Sequence, residues 1–471
     1  MLSMDTAHRP ELDHETCRRA RLARDPRFDG EFFLAVRTTG IYCRPICPAR
    51  PPAEKNVSYY RLASQAAGAG YRPCLRCRPE SAPGSPAWEG TATTVDRALN
   101  LIRAGALDSG SLADLAARLG IGERYLRKLF EQELGVSPQA VALNQRLLFA
   151  KKLLAETDMP ITDIGFAAGF GSVRRFNSAL QEHFRLTPTQ LRGRGRRPDT
   201  ASTITLQLQY RPPYDWAGVI DFFAHHEIAG VEQVTGQTYR RQFTCDRQPA
   251  WLEVTPVKSR PALALTVSLP DHRQLRTIVQ RVRRMFDLDA NPEVIHQSLT
   301  ASPELCPLLK RSPGSRSPGH WSLYEAAVRA IVGQQVSTVA ARSICSRFAA
   351  ACSENYLVFP RAAALAALED SAFPMPGRRR DTLKALCTAF SDCEETLTLE
   401  ALAEFKGVGP WTVAMAAIRG AGHPDVFPLG DLGLVKAWEA LGGNGKTLKH
   451  DCEPWSPWRS YAANLLWRSL S

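Results

Sequence analysis

The stretch from Leu402 to Lys436 reads LAEFKGVGPWTVAMAAIRGAGHPDVFPLGDLGLVK. Its apolar spacing predicts two helices joined by a tight turn at Gly407-Val408-Gly409, followed by a loop that carries Asp431. Glycine at both ends of such a turn lets the backbone N–H groups approach a phosphate, because no Cβ stands in the way. A turn of this kind holds a nucleic-acid strand without reading its sequence. Two ordinary alternatives stay open: Gly-x-Gly ends many helices, and Asp431 suits the N-cap of the helix LGLVKAWEAL.

The same stretch resembles the helix-hairpin-helix signature of the base-excision DNA glycosylases, in which a Gly/Pro-rich loop leads to an aspartate. The resemblance rests on Gly407, Gly409, the helix that starts at Pro410, and Asp431 one loop further on. It implies that the two glycines bind DNA and that Asp431 is catalytic. An aspartate in that role stabilises the positive charge that develops at the sugar C1′ or activates water.

A second resemblance begins at the motif YRPPYDW, residues 210–216, and continues to the C-terminus. It is similar to the AlkA-type 3-methyladenine DNA glycosylases, and the segment RAIVGQQVS at residues 329–337 is close to that family's own. The resemblance implies that Trp411 and Trp467 line the base pocket, where electron-rich rings suit a base made cationic by N-alkylation. Both tryptophans have an alternative as core residues. Met415 stands where the family can have a second aromatic residue, which implies a softer substrate-binding pocket.

The departures from these families also carry information. Bifunctional relatives place a Schiff-base lysine where this chain has Trp411, so we expect a monofunctional glycosylase that leaves an abasic site. The iron–sulfur loop that some glycosylases carry after the aspartate is absent from the sequence. The apolar residue that the family inserts into DNA aligns with Ser317, so the sequence identifies no such wedge.

Length, charge and targeting signals narrow the class of protein. A chain of 471 residues is too long for one hydrophobic core. Its net charge of +12 favours a polyanionic partner. The N-terminal segment MLSMDTAHRPELDHE has no apolar signal region, and no window is long and apolar enough for a membrane span. We therefore expect a cytoplasmic protein with reduced thiols and no membrane partner.

Four of the twelve cysteines fall in one small segment with the pattern C-x3-C…C-x2-C. This spacing suits a tetrahedral zinc site in a cytosolic chain, whereas the remaining cysteines are scattered singly. Zinc is accordingly the cofactor that we expect. The predicted ligands are Cys43, Cys47, Cys74 and Cys77.

The residues around these cysteines resemble the N-terminal domain of the Ada adaptive-response proteins over about residues 26–80. The resemblance rests on RTTGIYCRP at residues 37–45, NVS at 56–58 and YRPC at 71–74. It implies that Cys43 is both a zinc ligand and the acceptor of a methyl group from a methylphosphotriester in DNA. Zinc keeps a sulfur as the thiolate, which is the nucleophilic form. A purely structural zinc site is the alternative. The positions that match the family's contacts with DNA are Thr39, Arg50 and Arg72.

An internal repeat follows the cysteine segment. SLADLAARLGIGERYLRKLFEQELGVSPQ, from Ser111, recurs as ITDIGFAAGFGSVRRFNSALQEHFRLTPTQ, from Ile161. Each copy predicts a helix-turn-helix, and the pair joined by a long helix from Ser137 to Glu156 resembles the AraC/XylS-type DNA-binding domain. We expect recognition helices at Glu123–Gln132 and Ser172–Phe184; a helical adaptor with solvated charges is the alternative. The candidates for DNA contact are Arg124, Arg127, Lys128, Arg174, Arg175 and Asn177.

Changes of composition set the expected domain boundaries. A Pro/Gly/Ser-rich stretch follows the cysteine segment, and a basic run follows the repeat. Alternating strands begin at Thr203, in the segments ITLQLQY, TYRRQF, AWLEVTPV and ALALTVSL, with a helix at Trp216 to His226. From about Leu275 onward the pattern is nearly all helical. The sequence thus predicts a multidomain chain with a small zinc-bound α+β domain at 1–80, a linker at 81–93, an all-α AraC-type double helix-turn-helix domain at 94–192, a basic linker at 193–202, an α+β AlkA-type N-terminal subdomain at 203–298 and an all-α helix-hairpin-helix glycosylase domain at 299–471.

These resemblances imply a protein of DNA alkylation repair and its regulation. The C-terminal half would excise N-alkylated bases such as 3-methyladenine, as a DNA-3-methyladenine glycosylase II does, and the N-terminal half would sense methylphosphotriesters and activate transcription. The expected partners are double-stranded DNA, with its lesions and promoter sites, and RNA polymerase. The alternative is a transcriptional activator whose C-terminal half binds DNA without catalysis. Direct reversal of O6-methylguanine is excluded, because the Pro-Cys-His-Arg motif of those methyltransferases is absent from the sequence.

Overall fold

The computed structural model describes residues 13–74, 76–77, 79, 94–103, 105–108, 110–192, 203–353 and 357–470. Both linkers expected from the sequence, 81–93 and 193–202, lie outside these residues. Among the described helices, none combines the length and the apolar character that crossing a membrane requires. The chain divides into two compact units, of which the first comprises Met1–Pro212, Ser259–Gln280 and Leu288–Ala290, and the second Pro213–Lys258, Arg281–Asp287 and Asn291–Ser471.

The first unit begins with a small sheet that carries the cysteine segment. The sheet order is β3-β1-β2-β4, with β1 antiparallel to β2 and β3, and β2 parallel to β4. The residues FFLAVRTTGIYC, 32–43, form strand, turn and strand, and Gly40 takes the positive φ of 64° that the turn requires. The elements are α1 His14–Ala23, β1 Phe33–Val36, β2 Ile41–Cys43, β3 Val57–Tyr60, α2 Ala63–Gly68 and β4 Arg72–Pro73.

The internal repeat folds as two helix-turn-helix motifs, which confirms that prediction. The buried positions repeat with the sequence, since Leu126 and Phe130 in one motif correspond to Phe176 and Leu180 in the other. Serine N-caps open the long helix and the second recognition helix, where Ser172 accepts a hydrogen bond from the backbone. The helices are α3 Thr94–Arg103, α4 Leu112–Arg118, α5 Glu123–Leu134, α6 Pro138–Glu156, α7 Ile161–Ala167, α8 Val173–Phe184 and α9 Pro188–Arg192.

The first unit also contains an antiparallel strand pair, β5 Ile204–Gln209 and β9 Ala262–Ser268. Helix α6 is bonded to β5 at two points. Lys152 Nζ donates to the Gln207 carbonyl at 2.5 Å, and the Gln207 N–H donates to Glu156 at 3.0 Å. The long helix between the two helix-turn-helix motifs is therefore anchored to the first strand of the AlkA-like region.

The second unit contains a three-stranded antiparallel meander and the helix predicted at residues 216–226. The strands are β6 Glu232–Thr235, β7 Thr238–Cys245 and β8 Gln248–Pro256, and the helix is α10 Trp216–His226. The sequence predicted β7, β8 and α10 but missed β6. Four residues with a single buried member, as in β6, show no clear alternation of apolar and polar positions.

From Leu275 onward the described residues contain helices and no strand, as predicted. Helix α14 is buried on nearly all sides and forms the centre of a core that includes Ile331, Phe348 and Leu402. The helices are α11 Leu275–Met285, α12 Pro292–Leu299, α13 Cys306–Arg311, α14 Leu323–Val332, α15 Thr338–Ala351, α16 Ala362–Ala367, α17 Gly377–Ala389, α18 Leu399–Ala403, α19 Pro410–Ala416, α20 Leu432–Ala440, α21 Leu448–Asp451 and α22 Arg459–Arg468.

Candidate functional site

The predicted hairpin connects α18 to α19, and its two glycines have different structural reasons. Gly407 has φ 93°, and a Cβ there would lie 2.2 Å from the Thr382 hydroxyl. Gly409 is the N-cap of α19 with φ −102°, and a Cβ there would meet nothing within 4 Å. Glycine at position 407 is therefore required by the backbone conformation and by the packing against Thr382. Gly409 has open space beside it, and a phosphate could approach its backbone there.

The turn is also held from the end of α14. The Gln334 side-chain amide donates to the Gly407 carbonyl and to the Thr412 hydroxyl, both at 3.0 Å. Gln334 belongs to the RAIVGQQVS segment, so the sequence carried a signal for it. We infer that Gln334 fixes the conformation of the hairpin.

The Asp431 carboxylate accepts three hydrogen bonds. Its Oδ1 accepts from the backbone N–H of Leu434 at 3.0 Å and from Trp467 Nε1 at 3.0 Å, and its Oδ2 accepts from Trp411 Nε1 at 2.9 Å. Asp431 is thus the N-cap of α20, which confirms that alternative. The cap does not exclude chemistry, because the same carboxylate joins both predicted pocket tryptophans.

Three helices bring the predicted pocket residues together around this carboxylate. Trp411 lies on α19, Asp431 opens α20, and Trp467 lies near the end of α22. Both tryptophans are half-buried, so each presents ring surface outside the core. Met415 is also half-buried and lies one helical turn after Trp411, on the same face of α19. The arrangement is a carboxylate between two indoles at the edge of the second unit's helical core.

Arg419, which the sequence analysis did not identify as a site residue, lies over the Trp467 ring. Its guanidinium carbon is 4.9 Å from the centroid of the Trp467 ring and 4.5 Å from that of Phe222. Its Nη1 donates to the Pro318 carbonyl at 2.7 Å, and the residue is 6 % exposed. Burial lowers the pKa of Arg419 to about 9, and the negative charge of Asp431 opposes this shift. The side chain is therefore a cation at neutral pH.

Two histidines, the half-buried His226 and the buried His320, lie near this arginine. His226 stacks on Phe222 with ring centroids 4.3 Å apart, and His320 is 5.7 Å from the same ring. Burial, reinforced by the charge of Arg419, lowers the pKa of His226 to about 3. Burial, with nearby arginines, also lowers the pKa of His320. Both imidazoles are neutral at pH 7 and add no positive charge to that of Arg419.

Ser317, which aligns with the apolar residue that the family inserts into DNA, lies in a buried segment of the second unit. Residues 316–320 are all buried, and the Ser317 hydroxyl accepts a hydrogen bond from Asn464 Nδ2 at 2.8 Å. Its backbone N–H donates to Asp287 at 2.9 Å. The Ser317 side chain is therefore directed into the interior, and the structure, like the sequence, identifies no wedge at this position.

In the first unit the four predicted zinc ligands converge. Cys43 ends β2 and Cys74 follows β4, and the sulfur atoms of all four cysteines lie within 4.8 Å of one another. No disulfide joins them. A tetrahedral zinc with bonds of about 2.3 Å requires sulfurs roughly 3.8 Å apart, so the cluster fits this ion. Cys43 is 8 % exposed, while Cys47 is half-buried.

Backbone donors and one buried ion pair surround the cluster. The Arg44 N–H donates to Cys77 Sγ at 3.3 Å, and the Arg76 N–H donates to Cys74 Sγ at 3.4 Å. The Arg44 side chain is buried and forms a two-pronged ion pair with Asp29. Its charge is therefore directed into the domain and is not available to DNA.

The predicted DNA contacts of the first unit lie at its surface. Thr39 is exposed in the β1–β2 turn, Arg50 is exposed, and Arg72 is half-buried. On the recognition helices, Arg127 forms an i,i+4 ion pair with Glu123. Tyr125, which the sequence reasoning missed, is 53 % exposed on the same helix. The predicted contacts on both helices are all exposed: Arg124, Arg127, Lys128, Arg174, Arg175 and Asn177.

Comparison with protein families defines the class. Residues 16–80 match the metal-binding domain of Ada, residues 115–194 match a helix-turn-helix domain, and residues 205–322 match the AlkA N-terminal domain. The protein is thus a fusion of an Ada-type metal-binding part, a helix-turn-helix part and an AlkA-type part. This organisation is the one expected from the sequence.

Relatives narrow the class further. A probable bifunctional transcriptional activator/DNA repair enzyme AlkA of Mycobacterium tuberculosis is 38 % identical over 483 residues, which cover 97 % of each chain. The DNA-3-methyladenine glycosylase 2 of Escherichia coli is 30 % identical over 277 residues, which cover 55 % of this chain and 95 % of that one. The chain belongs to the family of AlkA-type bifunctional transcriptional activator/DNA repair enzymes.

A solved structure supports the fold of the second half. The 3-methyladenine DNA glycosylase of Archaeoglobus fulgidus aligns with a TM-score of 0.50 and 18 % identity, covering 56 % of this chain and 97 % of that one. At this identity the likeness concerns the fold alone.

Proposed function

We propose that the C-terminal half hydrolyses the N-glycosidic bond of alkylated bases such as 3-methyladenine, with Asp431 as the catalytic carboxylate. The observation that carries the proposal is the set of bonds from Trp411 and Trp467 to Asp431. These bonds fix the carboxylate between two rings on which a flipped base can stack. An aspartate that served only as a helix cap would not need two indole donors.

The chemistry follows from where charge develops. The bond between C1′ and the base nitrogen breaks, its electron pair leaves with the base, and C1′ becomes electron-deficient. Water then bonds to C1′ and loses a proton, and an abasic site remains. A carboxylate held near C1′ lowers the energy of the cation, because it is already oriented when the charge appears.

The two carboxylate oxygens of Asp431 differ in how many further hydrogen bonds each can accept. Oδ1 accepts two hydrogen bonds, from Leu434 N and Trp467 Nε1, which occupy both of its lone pairs. Among the described residues, Oδ2 accepts from Trp411 alone. We therefore assign Oδ2 as the oxygen that faces the sugar or the attacking water.

The test is base release from a duplex that contains 3-methyladenine, with strand breakage scored before and after alkali. We expect free base and an alkali-sensitive abasic site, without breakage before alkali, since Trp411 occupies the place of a Schiff-base lysine. Tight binding of the duplex with no base release would instead favour the activator that binds DNA without catalysis.

We propose a second activity, methyl transfer from a methylphosphotriester to Cys43, on the grounds of the four-cysteine cluster and the Ada-type family match. Zinc, when bound by the four cysteines, keeps the acceptor sulfur as a thiolate. The sulfur would attack the methyl carbon, and the phosphate oxygen would leave with the bond's electron pair as a diester anion. Methyl transfer and the helix-turn-helix pair together form the regulatory half, with promoter DNA and RNA polymerase as its proposed partners.

Peptide mass spectrometry after incubation with methylphosphotriester DNA tests this activity. We expect one added methyl group on the peptide that contains Cys43. Methylation of the more exposed Cys47 would reassign the acceptor, and no methylation at all would leave a structural zinc site.

A further inference from the structure

Arg419 differs from Arg241 and Arg329, two neighbouring arginines of the second unit's interior, in how its charge is balanced. Arg241 and Arg329 form ion pairs with both Glu232 and Glu325. Among the described residues, no carboxylate lies within ion-pairing distance of Arg419. Burying a cation without an ion pair is costly, so its retention beside the pocket calls for an explanation in terms of the site.

The geometry places this cation on one side of the pocket tryptophan. Arg419 lies over the face of the Trp467 ring, and the ring's edge donates to Asp431. The same guanidinium also lies over the Phe222 ring. A base that stacks on Trp467 must therefore use the opposite face of the ring. The ring's electrons already interact with one cation, which weakens their attraction for a second one.

We propose that Arg419 determines specificity: its charge shifts the pocket away from cationic alkylated bases and toward neutral damaged bases. The inference rests on the proposed glycosylase function and concerns how the same site discriminates between substrates. It also revises the expectation that the pocket tryptophans simply attract cationic bases.

The electron balance of bond cleavage gives the direction of the effect. A cationic base departs as a neutral molecule, so its repulsion by Arg419 is relieved as the bond breaks, and the cost of that repulsion falls on capture of the base from the free duplex. A neutral base departs with the bond's electron pair and carries developing negative charge. In that case Arg419 stabilises the base while Asp431 stabilises the sugar cation, and both charges are matched.

The test compares release of 3-methyladenine, a cationic lesion, with release of hypoxanthine, a neutral one, in the same duplex sequence. Single-turnover rates are measured with enzyme below the dissociation constant of both duplexes, so that they include capture of the base. The main variant is Arg419→Gln, which keeps a donor for the Pro318 carbonyl and removes the charge. We expect the ratio of the 3-methyladenine rate to the hypoxanthine rate to rise roughly 3- to 30-fold, the size of one cation–π contact. Arg419→Lys is the matched control, because it keeps the charge and should stay closer to the wild-type ratio.

Thermal unfolding of each variant separates lost folding from changed selectivity. If Arg419→Gln does not fold, Arg419→Met is tested in its place. If neither variant folds, the same two release rates are measured for the wild-type protein and divided by the rates of spontaneous release. The proposal predicts that this acceleration is at least as large for hypoxanthine as for 3-methyladenine. A ratio unchanged within twofold in a folded neutral variant, or an equal change in Arg419→Lys and Arg419→Gln, overturns the proposal. Failure of the wild-type protein to release either base would instead overturn the glycosylase function itself.

Discussion

The zinc centre and the Asp431 site organise charge in opposite ways. Four thiol groups of the first unit meet beside backbone N–H donors, among them those of Arg44 and Arg76, which offset thiolate charge in part. The Asp431 carboxylate of the second unit has its charge satisfied by two indoles and a backbone N–H. We conclude that the first site is complete only with a metal ion, whereas the second is preorganised by the protein alone.

Removal of one ligand should produce the largest difference between the two sites. Cys77→Ser is expected to reduce bound zinc from one ion per chain to almost none and to destabilise the N-terminal part, because binding of a structural zinc ion supplies about 10 kcal/mol or more of folding free energy. Metal analysis and thermal unfolding measure this effect. Cys393→Ser, at an exposed cysteine outside the cluster, is the matched control and should keep its zinc.

The same variant tests the independence of the second site. Base release by Cys77→Ser should stay near the wild-type rate, because no zinc ligand contributes to the Asp431 site. Loss of base release together with zinc would show that the second site depends on the metal after all.

Alanine variants of the two hairpin glycines should differ in their effects, with Gly407→Ala lowering stability and Gly409→Ala lowering DNA affinity. Gly407→Ala should lower the free energy of unfolding by about 1–3 kcal/mol, since alanine is strained at φ 93° and meets Thr382. Gly409→Ala should change it by less than about 0.5 kcal/mol. Affinity of Gly409→Ala for lesion and undamaged duplexes should fall equally if, as we propose, the turn contacts phosphate and reads no base. A loss confined to one sequence would indicate base reading.

Methylation of Cys43 should have the smallest effect, because it changes a single charge. Converting its thiolate to a thioether removes one negative charge, and operator binding should tighten roughly fivefold, or about 1 kcal/mol. The gain should shrink as salt rises from about 0.1 M to 0.3 M, because the interaction is screened. Cys43→Ser accepts no methyl group and should not respond. A gain independent of salt would point to a conformational cause.

Local patterns predicted much of the fold. The recognition helices, the long helix of the repeat and the helix at 216–226 all appear close to their predicted bounds, because caps and apolar spacing are encoded within each segment. Strand β6 was missed because four residues carry too little pattern. The boundaries of the predicted domains stay predictions.

The geometry of the candidate site could not be predicted from the sequence, because it depends on contacts between residues far apart in the chain. Family resemblance indicated Asp431, Trp411 and Trp467, yet nothing local shows that both indoles donate to one carboxylate. In the sequence, Arg419 is a single charged residue within an apolar helical segment. Its contacts with the rings of Phe222 and Trp467 depend on residues far away in the chain. The burial of the segment around Ser317 is likewise a tertiary property that the local sequence does not show.

The central claim is that Asp431 acts in catalysis as well as capping α20, and the most direct measurement is single-turnover base release by Asp431→Asn. Asparagine keeps the cap through Oδ1, so the fold and much of the duplex affinity should be kept. Trp411 Nε1 then faces an amide group that can only donate, and the lost hydrogen bond should cost about 1 kcal/mol of stability. We expect release of 3-methyladenine to fall at least about 100-fold, the usual contribution of a positioned carboxylate. A folded Asp431→Asn protein that releases base at a near-normal rate would contradict the account and leave Asp431 as a helix cap.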